Sequence, residues 1–193
     1  MRLLSPSFDV VPSGFDESSL HEQEPKKHVV QSAGCKADDV AQSIDDGIII
    51  GADTIVVVDD EILGKPVDYA DAWRMLKLLS GRSHFVYTGL CVIQRQGGKT
   101  IRQLEDYVST EVVFGLLTDD IIDAYVSTGE PMDKAGAYGI QELGSLLVER
   151  ISGDYFNVVG LPIYRLSRML LELGLPVFGE IVDRLRNHQV SPE

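Results

Sequence analysis

Any fold of this chain must find room for IIIGADTIVVV, the stretch from Ile48 to Val58. Its apolar side chains are nearly continuous rather than alternating, which is the pattern of a central strand covered on both faces. Its β-branched content disfavours a buried helix. One residue breaks the pattern. A carboxylate inside an apolar strand costs too much to bury unpaired, so Asp53 is expected at a strand end or in a cleft that holds a cation. Thr54 sets a hydroxyl beside it, and Gly51 allows close backbone approach.

The elements on either side argue for an α/β fold. Phe8 to Pro12 reads as a short strand, followed by the polar, turn-rich GFDESSLHEQEPKKHV, expected to be exposed. A helix is expected from Val29 to Asp45, weakened by Gly34. After the strand, DDE marks a tight turn and Ile62-Leu63 a short extended piece. Asp68 to Leu79 carries a broad apolar stripe around Trp73, Leu76 and Leu79, with Asp68 as N-cap and Ser80-Gly81 as stop. The segment from Ser83 to Gly115 reads as two or three strands joined around Gly97-Gly98. A further helix starts at Thr118 or Asp119, with Ile121 and Ile122 turned inward. Leu143 to Ile151 reads as helix or strand, and Ile163 to Leu173 as an apolar-striped helix. The closing LRNHQVSPE reads as frayed.

The chain has 193 residues and a formal net charge of −13. Such a balance disfavours nonspecific binding to DNA or RNA, yet a local lysine cluster or a bound metal can still hold a small anion. Cys35 and Cys91 lie in no metal-ligand spacing and read as free thiols of a reducing compartment. No stretch reaches membrane-spanning length, so a cytoplasmic protein fits best. The four histidines show no HExxH spacing, and there is no phosphate loop, GxGxxG or nucleophile elbow. His84 reads as structural.

Chemistry-bearing residues cluster around the opening stretch. Lys65 follows it in GKP, where Pro66 restricts the backbone of the residue before it. Carboxylates bind divalent metal and an ammonium grips phosphate, so one cleft could hold both. Asp16-Glu17 sits in a loop, Lys36 on the following helix, and Asp133-Lys134 in a glycine-bracketed segment that ends at Gln141. A cleft-lining glutamine can read a base edge by paired hydrogen bonds. Asn157 precedes VVGLP. Taken singly, each of these also reads as a surface residue or a cap, and DDE as a solvated turn.

The stretch GADTIVVVDDEILGKPVDYADAWRMLKLLSGRSHFVYTG closely resembles the hallmark of the Maf family (septum-formation-inhibitor-like) of nucleotide pyrophosphatases. YVSTGEPMDKAGAYGIQ and ISGDYFNVVGLPIYRL are similar to two further signatures of that family, in the same order. FDVVPSGFDES and CKADDVA match more loosely. The resemblance runs from about Phe8 to Leu173. It implies one Maf-like domain over residues 1–193, with a mixed central sheet, flanking helices and a cleft between two lobes, similar to inosine-triphosphate pyrophosphatases. It implies hydrolysis of nucleoside triphosphates to the monophosphate and pyrophosphate with a divalent metal, Mg or Mn, and DKAGAYGIQ resembles the branch acting on dTTP and UTP.

By the same resemblance Asp53 is the catalytic acid, acting with Lys65 and Glu17, and Asp53 and Glu17 hold the metal. Lys36, Thr54, Lys134 and Gln141 meet the substrate. Members of the family usually open with a strand and a SASPRR-like loop that handles phosphate. This chain is read as beginning after both, since Ser5-Pro6-Ser7 is no aligned substitute. That departure favours the alternative of a binding or regulatory protein that keeps the fold without turnover. A homodimer is compatible with the sequence, which gives it little direct support.

Overall fold

The computed structural model describes residues 8–175. The expectations about Ser5-Pro6-Ser7 and the C-terminal LRNHQVSPE lie outside the described residues. Within them, α1 (Pro25–Ala41), β1 (Gly47–Val58), β2 (Glu61–Leu63), α2 (Tyr69–Leu79), β3 (Ser83–Gln96) and β4 (Lys99–Phe114) are followed by α3 (Asp119–Ser127), β5 (Val148–Ser152), α4 (Tyr155–Val159) and α5 (Ile163–Glu172). The strands form one sheet in the order β2-β1-β3-β4-β5, with helices against it. The α/β class is borne out, and every pairing among the described residues is antiparallel.

β1 is covered on both faces. Successive side chains alternate. Ile49, Ile55 and Val57 pack under α1, while Ile48, Ile50 and Ala52 pack with Leu166, Met169 and Leu170 of α5. Val56 and Val58 join the largest cluster, with Leu76 of α2 and Ile122 of α3. Continuous apolarity here therefore reports two helical layers, and it does so in an antiparallel sheet. β2 pairs only with Val56–Val58, so among the described residues the rest of β1 has a ladder partner on its β3 side alone.

The helix α1 sets the geometry of everything that follows. Val29, Ala33, Ala37 and Ala41 recur every fourth residue and are almost wholly buried. They rest on Gly51 of β1 and Gly89 of β3. A Cβ at Gly51 would lie 2.2 Å from the Ala33 carbonyl oxygen, and one at Gly89 would lie 2.1 Å from that of Val29. Helix and sheet thus meet backbone to backbone, which only glycine permits. α1 begins at Pro25 and ends at Ala41, earlier at both ends than the expected Val29 to Asp45. Proline's fixed φ suits the first helical position, and this draws part of the polar stretch into the helix.

Other local expectations fare variously. Asp68 caps α2, its Oδ1 accepting from the Asp71 N–H at 2.8 Å. Asp59 and Asp60 have φ of 48° and 65°, as a two-residue hairpin turn between Val58 and Glu61 requires. Gly97 and Gly98 likewise join β3 and β4, which are two long strands. The Leu143 to Ile151 segment divides into a 3-10 turn, Leu143–Leu147, and then β5. Phe8 to Pro12 takes no place in the sheet, because no ladder forms there. Ile121 is 43% exposed and only Ile122 turns inward. Cys35 and Cys91 are both free. No described helix is long and apolar enough to cross a membrane.

His84 is structural. It is 1% exposed, its Nε2 lies 2.8 Å from the Tyr138 hydroxyl, and its ring meets Phe114 edge-on at 5.0 Å. Burial lowers its pKa to about 4. Between the ordinary value near 6.5 and about 4, the unfolded chain binds the extra proton and the folded one does not. The stabilising contribution is therefore complete above pH 6.5 and is lost as pH falls, reaching about 3 kcal/mol by pH 4. Urea midpoints measured across this range are expected to fall steeply, and His84→Leu is expected to flatten that limb. An unchanged slope in the variant would assign the acid sensitivity elsewhere.

Candidate active site

Asp53 lies in the middle of β1, not at its end, and faces α1. The close approach over Gly51 and Gly89 brings Lys36 of α1 down onto it, with Lys36 Nζ donating to Asp53 Oδ1 at 2.6 Å. The same ammonium lies 2.7 Å from Glu17 Oε1. Burial deepens from one partner to the next: the side chains of Glu17, Lys36 and Asp53 are 60%, 21% and 10% exposed. Burial alone lowers the Lys36 pKa, but the hydrogen bonds and charges of Asp53 and Glu17 outweigh it and raise the value overall. This is how the apolar strand tolerates its carboxylate: the charge is paired from the neighbouring layer.

Glu17 reaches Lys36 because Asp16 is occupied otherwise. Asp16 Oδ1 accepts from both the hydroxyl and the backbone N–H of Ser18, at 2.7 and 3.0 Å, and so caps the short turn Glu17–Ser19. Those two bonds hold the Asp16 carboxyl below its ordinary pKa. Of the adjacent acids, one builds the turn and the other enters the site.

Facing this triad is a second set of groups. Lys65 follows Gly64, whose carbonyl accepts the Gly136 N–H at 3.0 Å and ties the two loops together. Lys134 pairs with Asp133 at 2.7 Å, and its aliphatic stem crosses Gly139, where a Cβ would lie 2.6 Å from Lys134 Cε. Lys134 lowers the pKa of Asp133, and the charge of Lys65 contributes more weakly.

Thr54 points away from α1. Its hydroxyl lies 2.8 Å from that of Thr88 and donates to the Gly160 carbonyl at 3.4 Å. Adjacent in sequence, Asp53 and Thr54 occupy opposite faces of β1, as strand alternation requires.

Glu17, Lys36, Asp53, Thr54, Lys65, Lys134 and Gln141 all line one cavity of about 710 Å³. That volume falls in the range of small-molecule sites. The cavity wraps the outer edge of β1, which is why residues from both faces of one strand reach it. Asn157 lies outside it: fully buried, it donates to the Val86 carbonyl and the Thr110 hydroxyl at 3.0 and 3.1 Å and serves the packing of α4 on the sheet. Asp59 lies outside as well, paired with Arg82. Tyr138 and His28 line the cavity without having been singled out from the sequence. A tyrosine bracketed by glycines in AGAYG was the available signal for the first, and there was none for the second.

The arrangement is chemically specific. Three lysines supply positive charge inside a chain of strongly negative net charge, as an anionic ligand needs. Glu17 and Asp53 direct one oxygen each at a single point, held here by the Lys36 ammonium. Among the described residues no group of three or more metal-ligating acids, histidines or cysteines gathers anywhere. Two carboxylates suffice for magnesium-type binding when a substrate's phosphates complete the shell.

Comparison with known proteins gives a consistent picture. The family profile described as Maf-like protein matches residues 1–173. A dTTP/UTP pyrophosphatase of Moorella thermoacetica is 48% identical over 174 residues, covering 90% of this chain and 88% of the relative. One of Clostridium botulinum is 50% identical over 171 residues, covering 88% and 89%. One of Methanococcoides burtonii is 44% identical over 179 residues, covering 93% and 90%.

Proposed function

Because the chain belongs to the Maf family, we propose that it hydrolyses dTTP and UTP to the nucleoside monophosphate and pyrophosphate. The observation that carries this reading is the meeting of Asp53, Lys36 and Glu17 on one side of a cavity that Lys65 and Lys134 line as well. A triphosphate needs distributed positive charge, and hydrolysis needs one acid placed to accept a proton. Both are present, and all the residues involved lie on one chain. The same proposal puts the protein in a reducing cytoplasm, a location that two free cysteines and a nucleotide substrate would suit.

In the proposed reaction a water oxygen attacks the α-phosphorus, Asp53 accepts the water's proton, and the bond to the leaving pyrophosphate breaks. Lys36 orients the Asp53 carboxylate through their hydrogen bond and places positive charge beside the reacting phosphoryl group. Lys65 and Lys134 bind the phosphate chain. Magnesium or manganese held by Asp53 and Glu17 would supply further charge compensation for the phosphate oxygens. Gln141, also lining the cavity, offers its amide as one donor and one acceptor to the carbonyl and N–H edge shared by uracil and thymine. Thr54 contributes from the opposite face of β1, where its hydroxyl is shared with Thr88.

The test is a panel of dTTP, UTP, dCTP, CTP, dATP and dGTP assayed for pyrophosphate release with magnesium or manganese. Release from dTTP and UTP is expected to exceed that from the others by at least about tenfold in kcat/KM. Retained dTTP binding with no release from any nucleotide would overturn the reading in favour of a binding or regulatory protein.

A further inference from the structure

Gln141 sits on a short loop whose two ends are fastened to the same pair of side chains. On one side the Gly139 N–H donates to the Tyr125 hydroxyl oxygen at 3.3 Å. On the other, the N–H groups of Leu143 and Gly144 donate to the two oxygens of the Glu130 carboxylate at 3.1 and 3.0 Å. Tyr125 closes the circuit by donating its hydroxyl to Glu130 Oε1 at 2.9 Å. The ends also touch directly: a Cβ at Gly144 would lie 2.5 Å from the Gly139 carbonyl oxygen and 2.6 Å from the Tyr125 hydroxyl. No room is left for the loop to slide.

Neither Tyr125 nor Glu130 lines the cavity. Tyr125 belongs to α3 and is buried in the main core cluster, so the fastening point is anchored in packed core rather than in the loop itself. Burial, and then its bond to Glu130, push the Tyr125 pKa far up, which keeps the hydroxyl protonated and available as a donor. Glu130 uses both carboxylate oxygens, and backbone N–H bonds to a carboxylate are among the stronger ones in proteins. Gly139 supports the Lys134 stem as well, so the same clamp references a phosphate-side and a base-side residue to one another.

A glutamine side chain is long and rotatable. Its amide can discriminate one base edge from another only if its backbone is fixed to within about half an ångström. We infer that Tyr125 and Glu130 form a positioning clamp that holds Gln141 in register with the base and so sets nucleotide selectivity from outside the cavity. This rests on the reading of Gln141 as the base-facing residue given above.

Glu130→Gln is the direct test, because its amide nitrogen faces one of two N–H donors that both require an acceptor. The ratio of dTTP to dCTP in kcat/KM is expected to narrow about tenfold, chiefly through a higher KM for dTTP, with kcat held within about threefold. In nucleotide-free protein, amide exchange at Leu143 and Gly144 is expected to accelerate while β3 amides stay protected. Gln141→Ala should narrow the ratio to a similar degree without faster exchange, and the double variant should add little to either single one. If Glu130→Gln does not fold, Tyr125→Phe, which deletes the links to Gly139 and Glu130, takes its place, with the same narrowing of the nucleotide ratio and the faster exchange now expected at the Gly139 amide.

An unchanged nucleotide ratio, unchanged loop exchange, or acceleration spread equally over β3 would each overturn the proposal. Were the wild type to release no pyrophosphate, the enzymatic reading would fail by itself. The clamp would still be decided by exchange and by the relative affinities for dTTP and dCTP.

Discussion

Asp53→Asn is expected to lower pyrophosphate release from dTTP by about 10³-fold, the scale on which removal of a positioned base or electrostatic group is felt. The substitution keeps the side chain's shape and removes its capacity to accept a proton from water. Its structural cost is expected to be small, because Lys36 retains Glu17 at 2.7 Å and is itself partly exposed. Denaturant unfolding is therefore expected to shift by no more than about 2 kcal/mol. Nucleotide affinity should stay within about tenfold, since the lysines proposed to bind phosphate are untouched. Steady-state kinetics, unfolding curves and calorimetric titration with dTTP separate these three effects. Turnover within tenfold of the wild type would remove Asp53 as the essential acid, and a collapse of stability would make its role structural.

Positive charge is concentrated where the chain as a whole is negative. The three lysines of the cavity come from different elements: Lys36 from α1, Lys65 from the loop after β2, and Lys134 from the turns before Gln141. Each is held differently. Lys36 is fixed by two carboxylates and Lys134 by Asp133 and the close passage over Gly139, while for Lys65 it is the loop backbone that is tied, through the bond between Gly136 and Gly64. On the proposed function, a triphosphate entering such a site would meet two ammonium groups already held in place, and little conformational entropy would be spent in ordering those two.

Much of this was legible in the sequence, for identifiable reasons. A nearly continuous apolar run rich in β-branched residues marks a doubly covered strand whatever the direction of its neighbours, so β1 is legible in the sequence while its antiparallel pairing is not. Asp53 stood out because a carboxylate in such a run has to be compensated, and the compensation proved to be Lys36, a residue distant in sequence. Glycine pairs gave the β3–β4 turn directly. By contrast, Phe8 to Pro12 has strand-like composition and no partner, which only the tertiary structure can reveal. The opposite orientation of Thr54 follows from alternation alone and could have been read at once. Glu130 and Tyr125 carry no local signal, because their importance lies in bonds to a loop that follows them.

Gly89→Ala is expected to be among the most destabilising single substitutions available to this protein. The added Cβ would lie 2.1 Å from the Val29 carbonyl oxygen, 2.3 Å from its carbonyl carbon and 2.7 Å from the Val30 nitrogen. All three are backbone atoms of α1, so no side chain can rotate away and the helix itself must lift from the sheet. Forced overpacking of this kind costs about 3 kcal/mol or more. In a chain of this size that corresponds to a fall in Tm of roughly 6–12 °C. Function should suffer beyond the loss of stability, because Gly89 lies opposite Asp53 in the β1–β3 register and α1 carries Lys36. Below the unfolding transition, turnover is expected to drop in the folded variant as the bond between Lys36 and Asp53 lengthens. Gly14→Ala is the control: its Cβ would meet nothing closer than Asp39 Oδ2 at 3.7 Å, and its Tm should not move. If Gly89→Ala melted within about 2 °C of the wild type, α1 would have to float free of the sheet. The glycines could not then be what sets the ammonium against the acid.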